Sequence, residues 1–381
     1  MKKLEDYRSL FPITKEMIYL NHAATSPLSL RVIEMIEEHF HQRSTIIVEN
    51  WDFVLDKIKE LRTLLAKLVG TDNSRIALVY NTSHGLNIVA SGLEWKEGDE
   101  ILIPEGEFPS NVYPFLNLRR KGVKIKLVPT PSGGLEPETL LSAITPVTKL
   151  LSVSFVEFLS GYKTNLKAIG EICHDHGIIF VVDAIQGLGA IPIDVIDCSI
   201  DALACGGHKW LMFPQGIGFL YITKELQDKI QQSHLGWMSV ENPEDFLNYN
   251  QKLSPDARRF ECGCLNSAGI IGATVSLAML LEIGQDIIYQ HLISLTSRLI
   301  EGLEERDFRI FTNKDLKKRS GIITFYPRDK SKSERLFNFF EENSIGVSIR
   351  EEMIRISPHF YNTLEEMNFV LDICGKFQRK H

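Results

Sequence analysis

Two apolar runs, each ending at a residue that can carry chemistry, constrain this chain more than any other feature. The first, Ile178-Ile179-Phe180-Val181-Val182, is unbroken and stops at Asp183. Apolar, β-branched residues without alternation mark a strand buried on both faces, as in a parallel sheet. The second, Ile200-Asp201-Ala202-Leu203-Ala204-Cys205, ends just before Gly206-Gly207-His208-Lys209-Trp210. As neighbouring strands of one sheet, the two runs deliver Asp183 and Lys209 to the same rim, where open α/β sheets bind their ligands.

An acid and an amine on one rim match the needs of pyridoxal 5'-phosphate (PLP). Its aldehyde takes a lysine as a Schiff base, and its ring nitrogen takes an aspartate that keeps it protonated, so that the ring acts as an electron sink. The two residues alone are equally compatible with unrelated surface charges flanking Gly-rich turns. The rest of the chain has to decide.

Composition sets limits on partners. With 42 Lys and Arg against 49 Asp and Glu, the net charge is −7, which argues against nucleic acid or an anionic membrane surface as the main partner. Any phosphate site is therefore local. Met1-Lys2-Lys3-Leu4-Glu5-Asp6 holds no apolar core long enough for a signal peptide. No apolar run reaches the roughly 18 residues of a membrane span, so a cytoplasmic location with no membrane partner is expected. The six cysteines form no CxxC pair, as expected of thiols in a reducing compartment. Cys262 and Cys264 lack a second ligand pair at zinc-site spacing, so no metal is expected.

Taken in order, the chain alternates strands with helices, which predicts a mostly parallel sheet with right-handed crossovers. Met17 to Leu20 is a brief strand running into the small-residue loop Asn21-His22-Ala23-Ala24-Thr25-Ser26-Pro27. Helical periodicity covers 30–70, with Val54, Ile58, Leu61, Leu65 and Leu68 on one face and Gly70 closing the helix. The strand Ile76 to Tyr80 leads into Asn81-Thr82-Ser83-His84-Gly85-Leu86-Asn87, where a hydroxyl-rich turn opens a helix. Such a turn is an anion site, because free backbone N–H groups and the helix dipole face the ligand; it is equally a plain helix cap by Thr82 or Ser83. Further strands are expected at 100–104, 123–128 and 149–156, and an antiparallel one at 216–222 after a short turn. Helices resume at Asn266, and 321–374 reads as a compact α+β lobe. The expected division is a large cofactor-binding domain at 16–255 and a small C-terminal domain at 256–381 that also takes 1–15.

Seven motifs stand in order along the chain: Asn-His-Ala-Ala at 21–24, Asn-Thr-Ser-His-Gly-Leu-Asn at 81–87, Glu-Phe-Pro-Ser-Asn at 107–111, Val-Asp-Ala-Ile-Gln at 182–186, Gly-His-Lys-Trp at 207–210, Arg-Phe-Glu-Cys-Gly at 259–263, and Arg-Ile-Ser-Pro-His-Phe-Tyr-Asn-Thr at 355–363. In these the chain resembles the class V aminotransferase family of fold-type I PLP enzymes, which includes cysteine desulfurases, kynureninases and isopenicillin N epimerase-like proteins. The resemblance implies the PLP-dependent transferase fold of type I, an α/β fold with a smaller α+β C-terminal domain. It implies Lys209 as the Schiff-base lysine and Asp183 as partner of the ring nitrogen. Gln186 would bond the ring hydroxyl, with Ala184 under the ring and Phe108 stacked over it. Thr82, Ser83 and His208 would hold the phosphate. Arg355 would grip the substrate α-carboxylate, a task suited to a bidentate guanidinium, with Asn21 and His22 also on the substrate side. A homodimer with its active site between subunits is implied as well, Cys264 facing the partner's phosphate.

The chain departs from that family in three places. Gly206 stands where a serine is usual and Cys264 where a threonine is usual, so two hydroxyls that normally touch the phosphate are missing. A backbone N–H at Gly206, or a water, would then have to substitute. Only Glu351-Glu352-Met353-Ile354 separate Arg350 from Arg355, leaving no room for the loop on which cysteine desulfurases carry their nucleophilic cysteine. The expected activity is PLP-dependent chemistry at Cα or Cβ of an amino acid, namely transamination, epimerisation or β-elimination. Desulfurase or selenocysteine lyase activity without the loop cysteine is the alternative, and a catalytically silent binding protein the alternative from another class, against which the intact Lys209 and Asp183 stand. A dinucleotide dehydrogenase is excluded, because Pro192 takes the place of the third glycine after Gly187 and Gly189. The substrate side chain is expected to meet loops around His22, His84, Trp237 and Tyr361.

Overall fold

The computed structural model describes residues 4–380. Its strands are β1 (Ile18–Tyr19), β2 (Ile76–Val79), β3 (Glu100–Pro104), β4 (Lys124–Val128), β5 (Thr148–Ser154), β6 (Ile179–Asp183), β7 (Ala202–Gly206), β8 (Gly218–Ile222), β9 (Arg309–Ile310), β10 (Ile323–Tyr326), β11 (Ile345–Gly346), β12 (Ser348–Arg350) and β13 (Met353–Ile356). Seven of them form the central sheet in the order β2-β8-β7-β6-β5-β3-β4. All neighbours are parallel except β8, which runs antiparallel to both β2 and β7. The turn after β7 is too short for a crossover, so β8 has to run back. One consequence positions the site: β2, β3, β5, β6 and β7 all end on one rim.

The β6 residues face alternately to opposite sides of the sheet, as strand geometry requires. Phe180 and Val182 join an apolar cluster with Leu61, Leu65 and Leu68 of the helix Trp51–Val69. Val181 joins a second cluster with Leu86 and Val89 of the helix Thr82–Gly92. Both faces are covered, which explains the unbroken apolar runs. The helix Thr82–Gly92 approaches β7 so closely that a Cβ at Gly85 would come 2.8 Å from the Cβ of Ala204. That contact seats the helix N-terminus on the rim.

The C-terminal lobe is built on the antiparallel sheet β12-β13-β10-β9, with its own cluster around Ile323, Phe325, Ile354, Ile356 and Leu371. The N-terminal strand β1 pairs in parallel with β11 of this lobe, so the chain crosses to it before entering the large lobe. The helix Ser267–Ile283 goes the other way. Its Ile270, Ala273, Leu277 and Leu280 belong to the cluster that also holds Phe180 and Val182 of the central sheet. Most residues of this helix are buried, and an all-round apolar surface is what such a position demands. No single helix among the described residues is long and apolar enough to cross a membrane.

The helix expected over 30–70 is two, Leu30–Thr45 and Trp51–Val69. Ser29 caps the first, its side chain accepting from the Val32 N–H. The break follows Thr45, where Ile46-Ile47-Val48 places three β-branched residues in a row, which disfavours continuing the helix. Gly70 closes the second helix at φ 77°, the left-handed conformation that suits glycine.

Candidate active site

Over the shared rim lies a cavity of about 280 Å³ whose wall includes Thr82, Ser83, Phe108, Gln186, His208, Lys209 and Arg355. Seven positions singled out in the sequence, from five separate segments, thus converge on one space. The register explains the central pair. Asp183 ends β6 between Ser154 of β5 and Ala204 of β7, and Lys209 follows β7 by three residues.

Asp183 is 2% exposed. Its Oδ1 accepts from the Ile185 N–H at 3.0 Å, while Oδ2 is buried with no partner. Burial pushes its pKa up to about 6, against the pull of the Ile185 N–H and the Lys209 ammonium. Lys209, 8% exposed, moves the opposite way. Burial brings it down to about 8, with Asp183 resisting and the nearby Arg355 cation adding to the fall. Its Nζ lies 5.4 Å from the centre of the Phe108 ring. A buried amine in this range is available as a nucleophile near neutral pH.

Two more carboxylates stand behind Asp183. Glu107 accepts from the backbone N–H and the hydroxyl of Ser154, and burial raises it to about 7. Glu157 has a buried Oε1 without a partner, and burial, Glu107 and Asp183 together hold it well above the ordinary carboxylate range. Three acidic groups on adjoining strand ends cannot all ionise cheaply in a low-dielectric setting. A cation delivered to Asp183 Oδ2 would relieve that repulsion.

The opposite end of the cavity is built for an anion. Asn81 caps the helix Thr82–Gly92, its side chain accepting from the His84 N–H at 2.9 Å, so the helix opens with free N–H groups toward the cavity. Ser83 Oγ lies 2.9 Å from Ser110 Oγ. Thr82 Oγ1 accepts from the Gly206 N–H at 2.9 Å, which ties β7 to the helix start. The Gly206 N–H is therefore engaged within the protein and does not itself replace the missing serine hydroxyl. His208 is held below its ordinary range by burial and by Lys209.

Gln186 is fixed between two motifs: its Nε2 donates to Ala23 O at 2.9 Å and its Oε1 accepts from Trp210 Nε1 at 3.0 Å. Phe108 leans edge-on against Phe158, with ring centres 5.3 Å apart. Arg355 sits in β13 opposite Thr324 and Ser348. Its Nη1 donates to Phe158 O at 2.8 Å, its Nε is buried without a partner, and burial together with Arg350 lowers it to about 10.

Other expected positions stand outside the cavity wall. Ala184 is fully buried, and its neighbour Ile185 lines the cavity instead. Asn21 forms a bridge with Ser357. His22 is completely buried, with Nδ1 at 2.8 Å from Ser357 O and Nε2 at 2.8 Å from the Tyr361 hydroxyl. A carbonyl only accepts, so Nδ1 carries the proton and Nε2 accepts from Tyr361. Neither nitrogen remains for a substrate, and Ala23 and Ala24 line the cavity in its place. His84 stacks on Tyr80 and Trp237 packs on Trp51, so the four-residue side-chain pocket expected from His22, His84, Trp237 and Tyr361 does not form within one chain. Cys264 is exposed and lines a separate cavity with His39 and Trp51. The loop leading to it is anchored: Glu261 Oε1 accepts from Arg62 Nη2 at 2.7 Å and from the Leu78 N–H at 2.9 Å.

Sequence reasoning missed Asn81, Ser110, Phe158, Ile185 and Arg350, all in the wall. A signal existed for two of them. Phe158 follows an apolar strand end, as Asp183 does, and Arg350 stands five residues before Arg355 in a segment already known to be short.

The residues fit PLP. Asp183 Oδ2 is an unpartnered buried acceptor suited to a ring N–H, Lys209 is an amine of lowered basicity, and a helix N-terminus with hydroxyls suits a phosphate. Comparison with known proteins agrees. Residues 18–370 match the family model described as aminotransferase class-V. A protein of Pyrococcus abyssi named probable cysteine desulfurase is 31% identical, the alignment covering 98% of this chain and 97% of that one. The isopenicillin N epimerase of Streptomyces clavuligerus is 26% identical over 97% of this chain and 96% of its own. The solved apo structure of a cysteine desulfurase from Thermococcus onnurineus NA1 superposes with a TM-score of 0.92 at 29% identity, covering 100% of this chain and 99% of that one. On an end-to-end match of this kind, carried through the residues that build the cavity, the chain belongs to the aminotransferase class-V family.

Proposed function

We propose that this protein is a PLP-dependent enzyme that acts at Cα or Cβ of an amino acid, by transamination, epimerisation or β-elimination. Bound PLP supplies an electron-withdrawing ring that stabilises negative charge at the substrate Cα. Asp183 keeps the ring nitrogen protonated through Oδ2. Lys209 would hold the cofactor through Nζ, and its free amine would serve as the base that takes the Cα proton. Arg355 orients the substrate through its α-carboxylate, and Gln186, locked by Ala23 and Trp210, fixes the ring hydroxyl side. Thr82, Ser83 and His208 hold the phosphate. The observation that carries this reading is the unpartnered, buried Asp183 Oδ2 sharing one rim with the Lys209 amine.

The desulfurase route through a loop cysteine lacks its residue here. β12 and β13 are joined by Glu351 and Glu352 alone, and no cysteine lines the cavity. The likeness to proteins named cysteine desulfurase supports the shared cofactor chemistry, and the closed hairpin favours chemistry that ends at Cα or Cβ without a protein persulfide. We also infer a two-fold symmetric homodimer, in which the anchored 259–264 loop brings Cys264 to the partner's phosphate.

The deciding experiment loads the purified protein with PLP and screens amino acids while following the visible band of the cofactor, 2-oxo acid release and loss of Cα chirality. Conversion of the band with a 2-oxo acid that keeps the substrate's carbon skeleton and without free ammonia marks a transaminase, ammonia release with loss of the side-chain leaving group a lyase, and racemisation alone an epimerase. A protein that never acquires a visible band at Lys209 would refute the proposal.

A further inference from the structure

Resting on the PLP reading, we propose that Arg350 is a second anion-binding arm of the substrate pocket, so that the preferred substrates are amino acids whose side chain ends in an acidic group. The charges of the cavity wall lead there. Lys209, Arg355, Arg350 and His208 line it, and no aspartate or glutamate does. The cofactor phosphate answers to the helix N-terminus and its hydroxyls, and the substrate α-carboxylate to Arg355. Lys209 is taken by the cofactor, which leaves Arg350.

Arg350 has no acidic partner among the described residues. Its one hydrogen bond runs from Nη1 to Ile349 O at 2.7 Å. The nearby Glu352 points to Lys330 at 3.8 Å, away from this role. Arg350 instead faces like charge, since both Arg355 and Lys209 feel it as a repulsive neighbour. With Lys209 committed to the cofactor and Arg355 to the α-carboxylate, the unpaired Arg350 fits a further anion on the ligand.

The backbone holds Arg350 at this place. It pairs with Met353 as the last rung of the β12–β13 ladder, and the turn between them has φ 47° at Glu351 and 56° at Glu352. Two consecutive left-handed residues make the tight hairpin turn that normally calls for Asn or Gly, and neither is present. The conformation is maintained against its intrinsic cost, and it keeps the arginine on the rim five residues before Arg355. A side chain ending in a carboxylate or sulfinate would bring that anion. A planar guanidinium binds either bidentately.

The test titrates the PLP-loaded enzyme with aspartate, glutamate and cysteine sulfinate, and with alanine and leucine, reading dissociation constants from the visible band. In parallel, calorimetry compares succinate with butyrate, neither of which has an amine to react. The acidic ligands are expected to bind at least about tenfold more tightly than their apolar counterparts, the scale of one charge-assisted contact. R350A should remove that preference while leaving alanine within about twofold, and R350K should retain part of it. Equal binding of alanine and aspartate overturns the proposal, as does an R350A loss that is the same for every amino acid, which would place Arg350 on the α-carboxylate. A visible band that answers to no amino acid counts against the PLP reading, and the succinate-to-butyrate ratio in wild type and R350A then still decides the role of Arg350.

Discussion

Asp183→Asn should stabilise the cofactor-free protein and cripple the loaded one. In the free protein, burial raises Asp183 from its ordinary 3.8 to about 6. A carboxylate whose folded-state value is raised favours the fold only while protonated, so stability is lost as pH rises from about 4 through about 6 and the full penalty stands at neutrality. The gap of roughly two pKa units corresponds to about 3 kcal/mol at 1.36 kcal/mol per unit. Asparagine keeps the acceptor for the Ile185 N–H and has no charge to bury. Unfolding of the free protein, followed by urea or heat at pH 7.5 and at pH 4, is expected to show the variant more stable by up to about 3 kcal/mol at the higher pH and equal at the lower. No hydrogen bond is given up at Oδ2, but the amide N–H groups that replace it gain no partner, so about 3 kcal/mol is the upper bound. With PLP bound the sign reverses: the carboxylate meets a ring proton that a neutral amide cannot hold by charge, so the stabilisation by PLP shrinks in the variant and turnover falls severely while PLP is retained. A variant whose free form is no more stable than wild type at pH 7.5, or whose advantage is the same at pH 4, would refute the argument that Asp183 is an ionised group awaiting a cation.

Further outcomes are expected at four positions. Borohydride reduction should fix PLP on the peptide containing Lys209, and Lys209→Ala should fold normally yet yield no covalent product by mass spectrometry. Glu261→Ala removes the buried partner of Arg62, whose pair distance is 2.7 Å, and should cost about 3–5 kcal/mol in urea unfolding, the usual penalty for stranding a buried charge. Gly206→Ser brings a Cβ to 3.2 Å from Ile185 Cδ1 and 3.4 Å from Thr82 Oγ1, a fit needing small adjustment, and its hydroxyl should slow PLP loss on dialysis about tenfold through one charge-assisted hydrogen bond. Sedimentation should show a dimer, and Cys264→Thr should likewise tighten PLP; a monomer with full PLP occupancy would remove both the dimer and the role of Cys264.

Much of the site was legible because its central parts lie at strand ends. An apolar run that stops at Asp183, and another that stops before Lys209, need only the alternation of strand and helix to reach one rim, since parallel strands of one sheet share their polarity. The hydroxyl turn at Thr82 and Ser83 was legible for the same reason, as a strand running into a capped helix. These are short-range patterns, and their outcome depends little on how the rest of the chain packs.

Other features depend on contacts between segments far apart in sequence, which periodicity does not encode. Whether His22 faces the ligand or the core was decided by Ser357 and Tyr361, more than three hundred residues later, which occupy both of its nitrogens. The gathering of Glu107 and Glu157 behind Asp183 follows from the pairing of β5 with β3 on one side and β6 on the other, and it raises both glutamates without leaving a motif. Arg350 became part of the wall only through two left-handed residues that close its hairpin, and Cys264 lies away from the cavity of its own chain because Arg62 and Leu78 anchor its loop elsewhere. The sequence by itself therefore determined which groups stand on the rim, through local periodicity and strand polarity. Only the tertiary structure decided which side chains turn into the cavity and how strongly each is charged, because orientation and desolvation are properties of packed neighbours.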